Sequence, residues 1–138
     1  MDIVIVSGYF DPLHSGHLEL IKKAKEFGDE LWIIVNNDEQ AKLKKGKSFM
    51  PQNERIKIMN SLKYVDRVFL SIDRDRSVCK SLKILKELHP EHNFIFANGG
   101  DVTNKTCREY KICKELGIEM VDKLGEKIQS SSWLTGIK

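Results

Sequence analysis

Ile3-Val4-Ile5-Val6-Ser7-Gly8-Tyr9-Phe10-Asp11-Pro12-Leu13-His14-Ser15-Gly16-His17 is the stretch around which this chain is organised. Its first four residues are apolar and β-branched, the composition of a strand buried on both faces of a parallel sheet. Beyond it, from Leu18 to Phe27, Leu20, Ile21, Ala24 and Phe27 recur at helical spacing. The segment between is therefore a strand-to-helix turn, and in an open α/β sheet such a turn lies at the carboxyl edge, where ligands bind. Gly8 permits close backbone approach, Pro12 stiffens the loop, and Gly16 leaves room over the first helical turn. His14 and His17, three residues apart, share one face of that turn. Two imidazoles beside a helix N-terminus suit a phosphate group. The plainer alternatives are a solvated cap or a pair of metal ligands, and no third Cys, His or carboxylate stands at a convincing offset for the latter.

The same alternation continues to the end. Glu30–Val35 reads as a second strand, followed by Asn36-Asn37-Asp38. The lysine-rich segment from Glu39 to Phe49 lacks apolar periodicity beyond one turn and is expected to be a mobile loop with at most a short helix at its start. Pro51 opens a helix whose buried stripe is Ile56, Met59 and Leu62. A third strand lies within residues 65–72. Asp73-Arg74-Asp75-Arg76 reads as a solvated charged turn. Val78, Leu82, Leu85 and Leu88 mark the next helix, stopped at His89-Pro90. Phe94–Ala97 is a fourth strand running into Asn98-Gly99-Gly100-Asp101. A helix from about Thr106 to Leu116 closes at Gly117, Ile118–Val121 is a fifth strand, and Ser130-Ser131-Ser132 opens a short final helix. Strands alternating with helices imply one α/β domain over residues 1–138, with a parallel sheet covered on both faces.

Composition narrows the function. A chain of 138 residues with 41% hydrophobic and 31% charged residues supports one core. A formal net charge of +3 fits phosphorylated small molecules and is too small to argue for nucleic acid. Nor are basic and aromatic residues interleaved as single-strand binding requires. Cys79, Cys107 and Cys113 form no CxxC pair and read as buried or half-buried thiols of a reducing compartment. With no signal peptide and no apolar run of membrane-spanning length, a cytoplasmic protein without membrane contact is expected.

Three carboxyl-edge loops carry the candidate chemistry. The first is the histidine turn. In the second, Gly99-Gly100 frees the backbone to lie against a base or ribose, with Asn98 beside it and Asp101 offering a carboxylate; a plain tight turn is the alternative. In the third, Ser130, Ser131 and Ser132 present hydroxyls and backbone N–H groups suited to a triphosphate, an ordinary serine cap being the alternative.

The pattern Gly-x-Phe-Asp-x-x-His-x-Gly-His resembles the signature of the cytidylyltransferase-like nucleotidyltransferases, the HxGH family with a Rossmann-like fold. The likeness extends to Asn37-Asp38-Glu39, Leu62–Asp66, Gly99-Gly100-Asp101 and the terminal serines, nearly the full length. It implies a five-stranded sheet in the order 3-2-1-4-5. Among family members the chain is similar to glycerol-3-phosphate cytidylyltransferases and to the adenylyltransferase domain of bifunctional heptose-phosphate enzymes. It departs from the latter at Asn98, where lysine is usual, and from the former at Gly125–Gln129, where an arginine-rich lead-in is missing.

The resemblance implies that an acceptor phosphate attacks the α-phosphorus of CTP or ATP and expels pyrophosphate. His14, His17 and Lys44 would act on the reacting phosphates. Gly8, Tyr9, Phe10, Asp11, Gly16, Lys47, Arg55, Asn98, Gly99, Asp101 and the three serines would bind nucleotide and phosphate, the register within the lysine loop staying open. A solvated helix charge is the alternative for Arg55. Mg²⁺ is expected to ride on the nucleotide phosphates, with no dedicated metal ligand assigned and Asp11 the candidate were one required. A sugar or polyol phosphate acceptor and a homodimer are implied by the relatives. Two other readings remain: a non-catalytic nucleotide-binding module, and an adenylyltransferase of cofactor biosynthesis. Groups of the latter kind often carry Thr or Asn at the first histidine, so His14 points toward the cytidylyltransferase branch.

Overall fold

Side chains alternate in β1 (Asp2–Gly8), sending Ile3 and Ile5 to one face of the sheet and Val4 and Val6 to the other, all four buried. Both faces are then covered by helices in the computed structural model, which describes residues 1–99, 103 and 106–124. In chain order the elements are α1 (Ser15–Lys25), β2 (Glu30–Val35), α2 (Asp38–Lys45), α3 (Gln52–Asn60), β3 (Arg67–Leu70), α4 (Cys79–Leu88), β4 (Asn93–Gly99), α5 (Tyr110–Leu116) and β5 (Glu119–Leu124). The strands form one five-stranded sheet ordered β3-β2-β1-β4-β5, every pair parallel. Ile21, Ala24 and Met59 from α1 and α3 pack with Val4, Val6, Leu31, Ile33 and Val35 on one face. Val78, Leu82, Leu85 and Cys113 pack with Ile3, Ile5, Trp32, Ile34, Phe94 and Phe96 on the other. Strand order reverses beside β1, so the carboxyl ends of β1 and β4 diverge into a crevice. No helix among the described residues is long and apolar enough to cross a membrane.

Four local expectations are corrected. The lysine-rich segment is helical through Lys45 rather than a loop. Asn37 and Gln40 form a reciprocal capping box at its start, Asp38 and Glu39 occupy the first turn, Lys42, Lys44 and Lys45 the last, and Gly46 closes it at φ 82°. Local capping thus outweighs the missing apolar stripe. Asp73 is not solvated: it is 2% exposed, and its carboxylate accepts from the Lys80 and Ser81 amides at 2.8 and 3.0 Å and from Ser81 Oγ at 2.6 Å. It supplies the cap that Val78, immediately before α4, has no oxygen to provide. Leu88 lies on the open side of α4 and is 66% exposed, and Phe27, past the end of α1, is 44% exposed. Residues 106–109 form turns ahead of α5 rather than its first turn. Gly100, Asp101, the segment 125–129 and Ser130–Ser132 with their expected helix lie outside the described residues.

Replacing Asp73 by alanine leaves the first amides of α4 without acceptors in a buried setting. It should cost about 2 kcal/mol, measured as a lower urea midpoint at an unchanged slope.

Candidate active site

The loop after β1 is shaped by a glycine and a phenylalanine acting together. Phe10 adopts φ 52°, a left-handed conformation that costs an ordinary residue about 1–3 kcal/mol. This folds its ring back over Gly8, where a Cβ would stand 2.9 Å from Phe10 Cζ. The ring is 3% exposed and meets His17 edge-on with centroids 5.2 Å apart. The close approach that Gly8 permits is thus first of all that of Phe10.

His14 and His17 cap α1 through their own rings. The Gly16 amide donates to His14 Nδ1 and the His14 amide to His17 Nδ1, both at 3.1 Å. A ring nitrogen that accepts from an amide carries no proton, so each neutral imidazole keeps its N–H on Nε2. The rings stack with centroids 3.8 Å apart. Burial pushes His17 down to about 4, helped by the neighbouring His14 and Lys44 charges, and burial lowers His14 as well. At neutral pH the pair therefore consists of two uncharged donors fixed in one tautomer.

Two adjoining cavities share Ser7, Gly8 and Tyr9 at the end of β1. One, of about 320 Å³, is lined by Phe10, Asp11, His17, Lys44 and Lys45. The other, of about 440 Å³, is lined by Asn36, Arg76, Asn98, Cys107, Arg108 and Glu109. Lys44 Nζ lies over the Tyr9 ring at 4.5 Å. Its pKa is lowered by desolvation and by the charges of Lys45, Arg76 and Arg108; Lys44 and Lys45 line the smaller cavity, Arg76 and Arg108 the larger. Tyr9 Oη and Asn98 Nδ2 are buried without a hydrogen-bond partner among the described residues. Both belong to residues lining the larger cavity, where a polar ligand would satisfy them.

Other expected binding residues build the site instead of facing a ligand. Arg55 is fully buried and donates to the carbonyls of Met50, Tyr9 and Asn36 and to the Asp38 carboxylate, at 3.0, 2.9, 2.6 and 2.8 Å. Four of its five N–H groups are thereby engaged within the protein, neither solvated nor open to a phosphate. Asp11 is likewise consumed: its carboxylate accepts the Phe49 and Met50 amides at 2.6 Å and pairs with Lys45 at 3.1 Å. Burial opposes its ionised form, but these amides and Lys45 prevail and hold its pKa below the usual carboxylate value. Gly16 lends its amide to His14. Gly99 ends β4 beside the larger cavity, and Lys47, exposed beyond the Gly46 turn, lines neither cavity.

Three cationic groups escaped the sequence reading. Lys45 was hidden by the uncertain register, which α2 resolves by presenting Lys44 and Lys45 together. Arg76 lies in a charged turn whose composition reads as solvated, and Arg108 belongs to no motif. The available signal for Arg76 was position, since it follows the carboxyl end of β3. The thiols of Cys79, Cys107 and Cys113 are unpaired. Burial raises all three, Cys113 to about 12, which disfavours their thiolate forms.

A parallel sheet ordered 3-2-1-4-5 with a histidine-capped helix at its switch point is the nucleotidyltransferase type of Rossmann-like fold. Residues 5–131 match the profile of the cytidylyltransferase-like family. The chain belongs to that family. It is 38% identical over 109 residues, 78% of this chain and 68% of the relative, to an FAD synthase of Pyrococcus abyssi. It is 30% identical over 128 residues to the bifunctional protein HldE of Desulfatibacillum aliphaticivorans, covering 91% of this chain and 23% of that protein. A lipopolysaccharide core biosynthesis protein of Thermoplasma volcanium superposes with a TM-score of 0.72 at 26% identity, covering 91% of this chain and 98% of that one. Among the archaeal FAD synthases matched, the aligned segment spans between 46% and 68% of their length.

Two outcomes follow. Because His17 sits at about 4 against an ordinary 6.5, the unfolded chain takes up that proton first as pH falls. The native state is then progressively disfavoured from pH 6.5 towards 4, and full stability returns above that window. The melting temperature should fall across this range, less steeply in His17→Gln. Arg55→Ala, which strands three carbonyls, should cost on the order of 3–5 kcal/mol, seen in urea unfolding, with Arg55→Lys recovering little because an ammonium cannot span the fork.

Proposed function

We propose that this nucleotidyltransferase moves the adenylyl group of ATP onto the phosphate of FMN, releasing pyrophosphate. The observation that carries the reading is the junction of two compartments at Gly8 and Tyr9: one is lined by His17, against which His14 stacks, with Lys44 and Lys45, and the other by Arg76 and Arg108. FAD is AMP joined to FMN through a phosphoanhydride, so an FAD synthase of this fold needs a phosphate monoester as nucleophile. A monoester is already anionic and requires no strong general base. That agrees with a phosphate compartment whose one carboxylate among the described residues, Asp11, is occupied with amides and Lys45.

In this reading the acceptor oxygen forms a bond to the α-phosphorus while the bond to the pyrophosphate oxygen breaks. The charge that builds on the transferring phosphate meets the Nε2–H groups of His14 and His17, and Lys44 and Lys45 meet the leaving group. Fixed tautomers and stacked rings mean these donors need not reorganise as charge develops. Arg76 and Arg108 hold the acceptor phosphate. Mg²⁺ would be carried by the triphosphate oxygens, since Asp11 has no oxygen to spare, and would supply further charge neutralisation.

A second acceptor class is favoured by the HldE match and the lipopolysaccharide-core structure: a sugar phosphate, for which the polar larger cavity also suits. The deciding experiment crosses ATP and CTP with FMN and a set of sugar and polyol phosphates, following pyrophosphate and the nucleotide product. FAD formation from ATP and FMN is expected. A CTP-dependent or sugar-dependent product would replace this reading, and nucleotide binding without turnover would favour the non-catalytic module. His17→Ala should lower turnover by about 10²–10³-fold in a folded protein.

A further inference from the structure

We infer that His89, Glu91 and His92 bind a divalent transition-metal ion of the Zn²⁺, Co²⁺ or Ni²⁺ kind, at the edge of the sheet opposite the candidate active site. The three residues lie in the turn between α4 and β4, the segment Leu88-His89-Pro90-Glu91-His92-Asn93. The length of β4, about 20 Å at 3.3 Å per residue, separates them from Asn98 and the nucleotide cleft. Their donor atoms all lie within 4.8 Å of one another, and among the described residues no other group of three His, Cys, Asp or Glu meets that condition.

The spacing of the donors argues for a cation between them. Glu91 Oε1 stands 3.6 Å from His89 Nδ1 and 3.5 Å from His92 Nε2. These separations are too long for good hydrogen bonds, whose N···O distances centre near 2.9 Å. Two ligands held about 2.0–2.1 Å from a tetrahedral ion stand roughly 3.3–3.4 Å apart, so both Glu91–His separations lie within a few tenths of an ångström of a coordinated pair, and the two His donors lie within 4.8 Å of each other. Two imidazoles and one carboxylate, with a fourth position open to water, form a donor set that suits Zn²⁺, Co²⁺ or Ni²⁺ better than oxygen-seeking Mg²⁺ or Ca²⁺.

The rings are also held in place. Trp32, 1% exposed, meets His89 and His92 edge-on, with centroids 5.1 and 6.0 Å apart. The two imidazoles are nearly parallel, 5.7 Å apart with their planes inclined by 20°. The His92 amide donates to the His89 carbonyl at 3.2 Å, closing the turn on which both rings are mounted. His92 Nδ1 is buried without a partner among the described residues, and its Nε2 is the atom that stands near Glu91. Two cations pack nearby, Lys86 on the His92 carbonyl and Arg67 over Trp32, and their charge tempers the affinity. A bound ion would clip the end of α4 to the start of β4.

The test uses the full chain after chelator treatment, titrated with Zn²⁺ by calorimetry and followed by thermal unfolding. One saturable site and a melting temperature that rises with free Zn²⁺ are expected. The replacement that carries the test is Glu91→Ala, whose side chain is 60% exposed and whose loss leaves the core intact. Loss of an outer-shell partner typically weakens metal sites about 10–100-fold, and removal of a direct ligand should cost at least as much. The variant should keep its nucleotidyl-transfer rate, and His17→Ala should keep the Zn²⁺-dependent stabilisation. Substituted Co²⁺ should give the visible absorption of a tetrahedral site, without the near-ultraviolet charge-transfer band of thiolate ligation. Undiminished Zn²⁺ binding in Glu91→Ala, loss of binding in His17→Ala, a thiolate band, or no saturable site would each overturn the proposal.

Discussion

The carboxyl edge of this sheet depends on one buried guanidinium. Arg55, from the first turn of α3, reaches the backbone of the β1 loop at Tyr9, of the residue following β2 at Asn36, and of its own approach at Met50, and it meets Asp38 at the start of α2. A charge so enclosed is tolerable because carbonyl dipoles and a carboxylate surround it. Each bond also fixes the position of a segment that lines the cleft. Asp11 completes the arrangement from the other side by holding the amides of Phe49 and Met50 and the ammonium of Lys45. Two residues with the chemistry of phosphate and metal ligands thus serve as the internal frame of the site.

That frame explains how a loop from β1 and a helix after β2 come to share one cavity. Lys45 bridges from α2 to the Asp11 carbonyl at 2.6 Å, which brings Lys44 over Tyr9 and beside His17. On the other flank, Asn37 donates to the carbonyls of Ser71 and Asp73, and Gln40 to those of Asp75 and Ser77. The β3–α4 loop is thereby tied to the start of α2, and Arg76 is carried to the cleft. Positive charge is gathered there by backbone ties between loops distant in sequence, and such a field favours polyanionic ligands.

The histidine pair shows how one local motif performs two tasks. Each ring spends one nitrogen on the backbone of α1 and keeps the other as a donor. Capping therefore sets the tautomer, and burial beside Lys44 keeps the rings uncharged at neutral pH. A neutral donor of fixed direction suits a phosphate whose charge grows during reaction, because it does not depend on a proton that the solution must supply.

What the sequence determined by itself was the set of features governed by short-range chemistry. The continuous apolar, β-branched run Ile3–Val6, the Gly-to-His turn and the helix stops at His89 and Gly117 all act within a few residues of chain, and they placed the strands and the histidine turn correctly. The helix through Lys45 was also written locally, in Asn37, Gln40 and Gly46, and was hidden because it lacks an apolar stripe. Tertiary structure alone decided the rest. Whether Arg55, Asp11 and Asp73 face solvent, ligand or protein depends on which carbonyls and amides arrive beside them from segments tens of residues away. The same holds for Lys45, Arg76 and Arg108, whose approach to Lys44 arises from loop-to-loop hydrogen bonds that no periodicity records. A charged residue's role is set by its surroundings in space, and those exist once the sheet has brought its carboxyl-edge loops together.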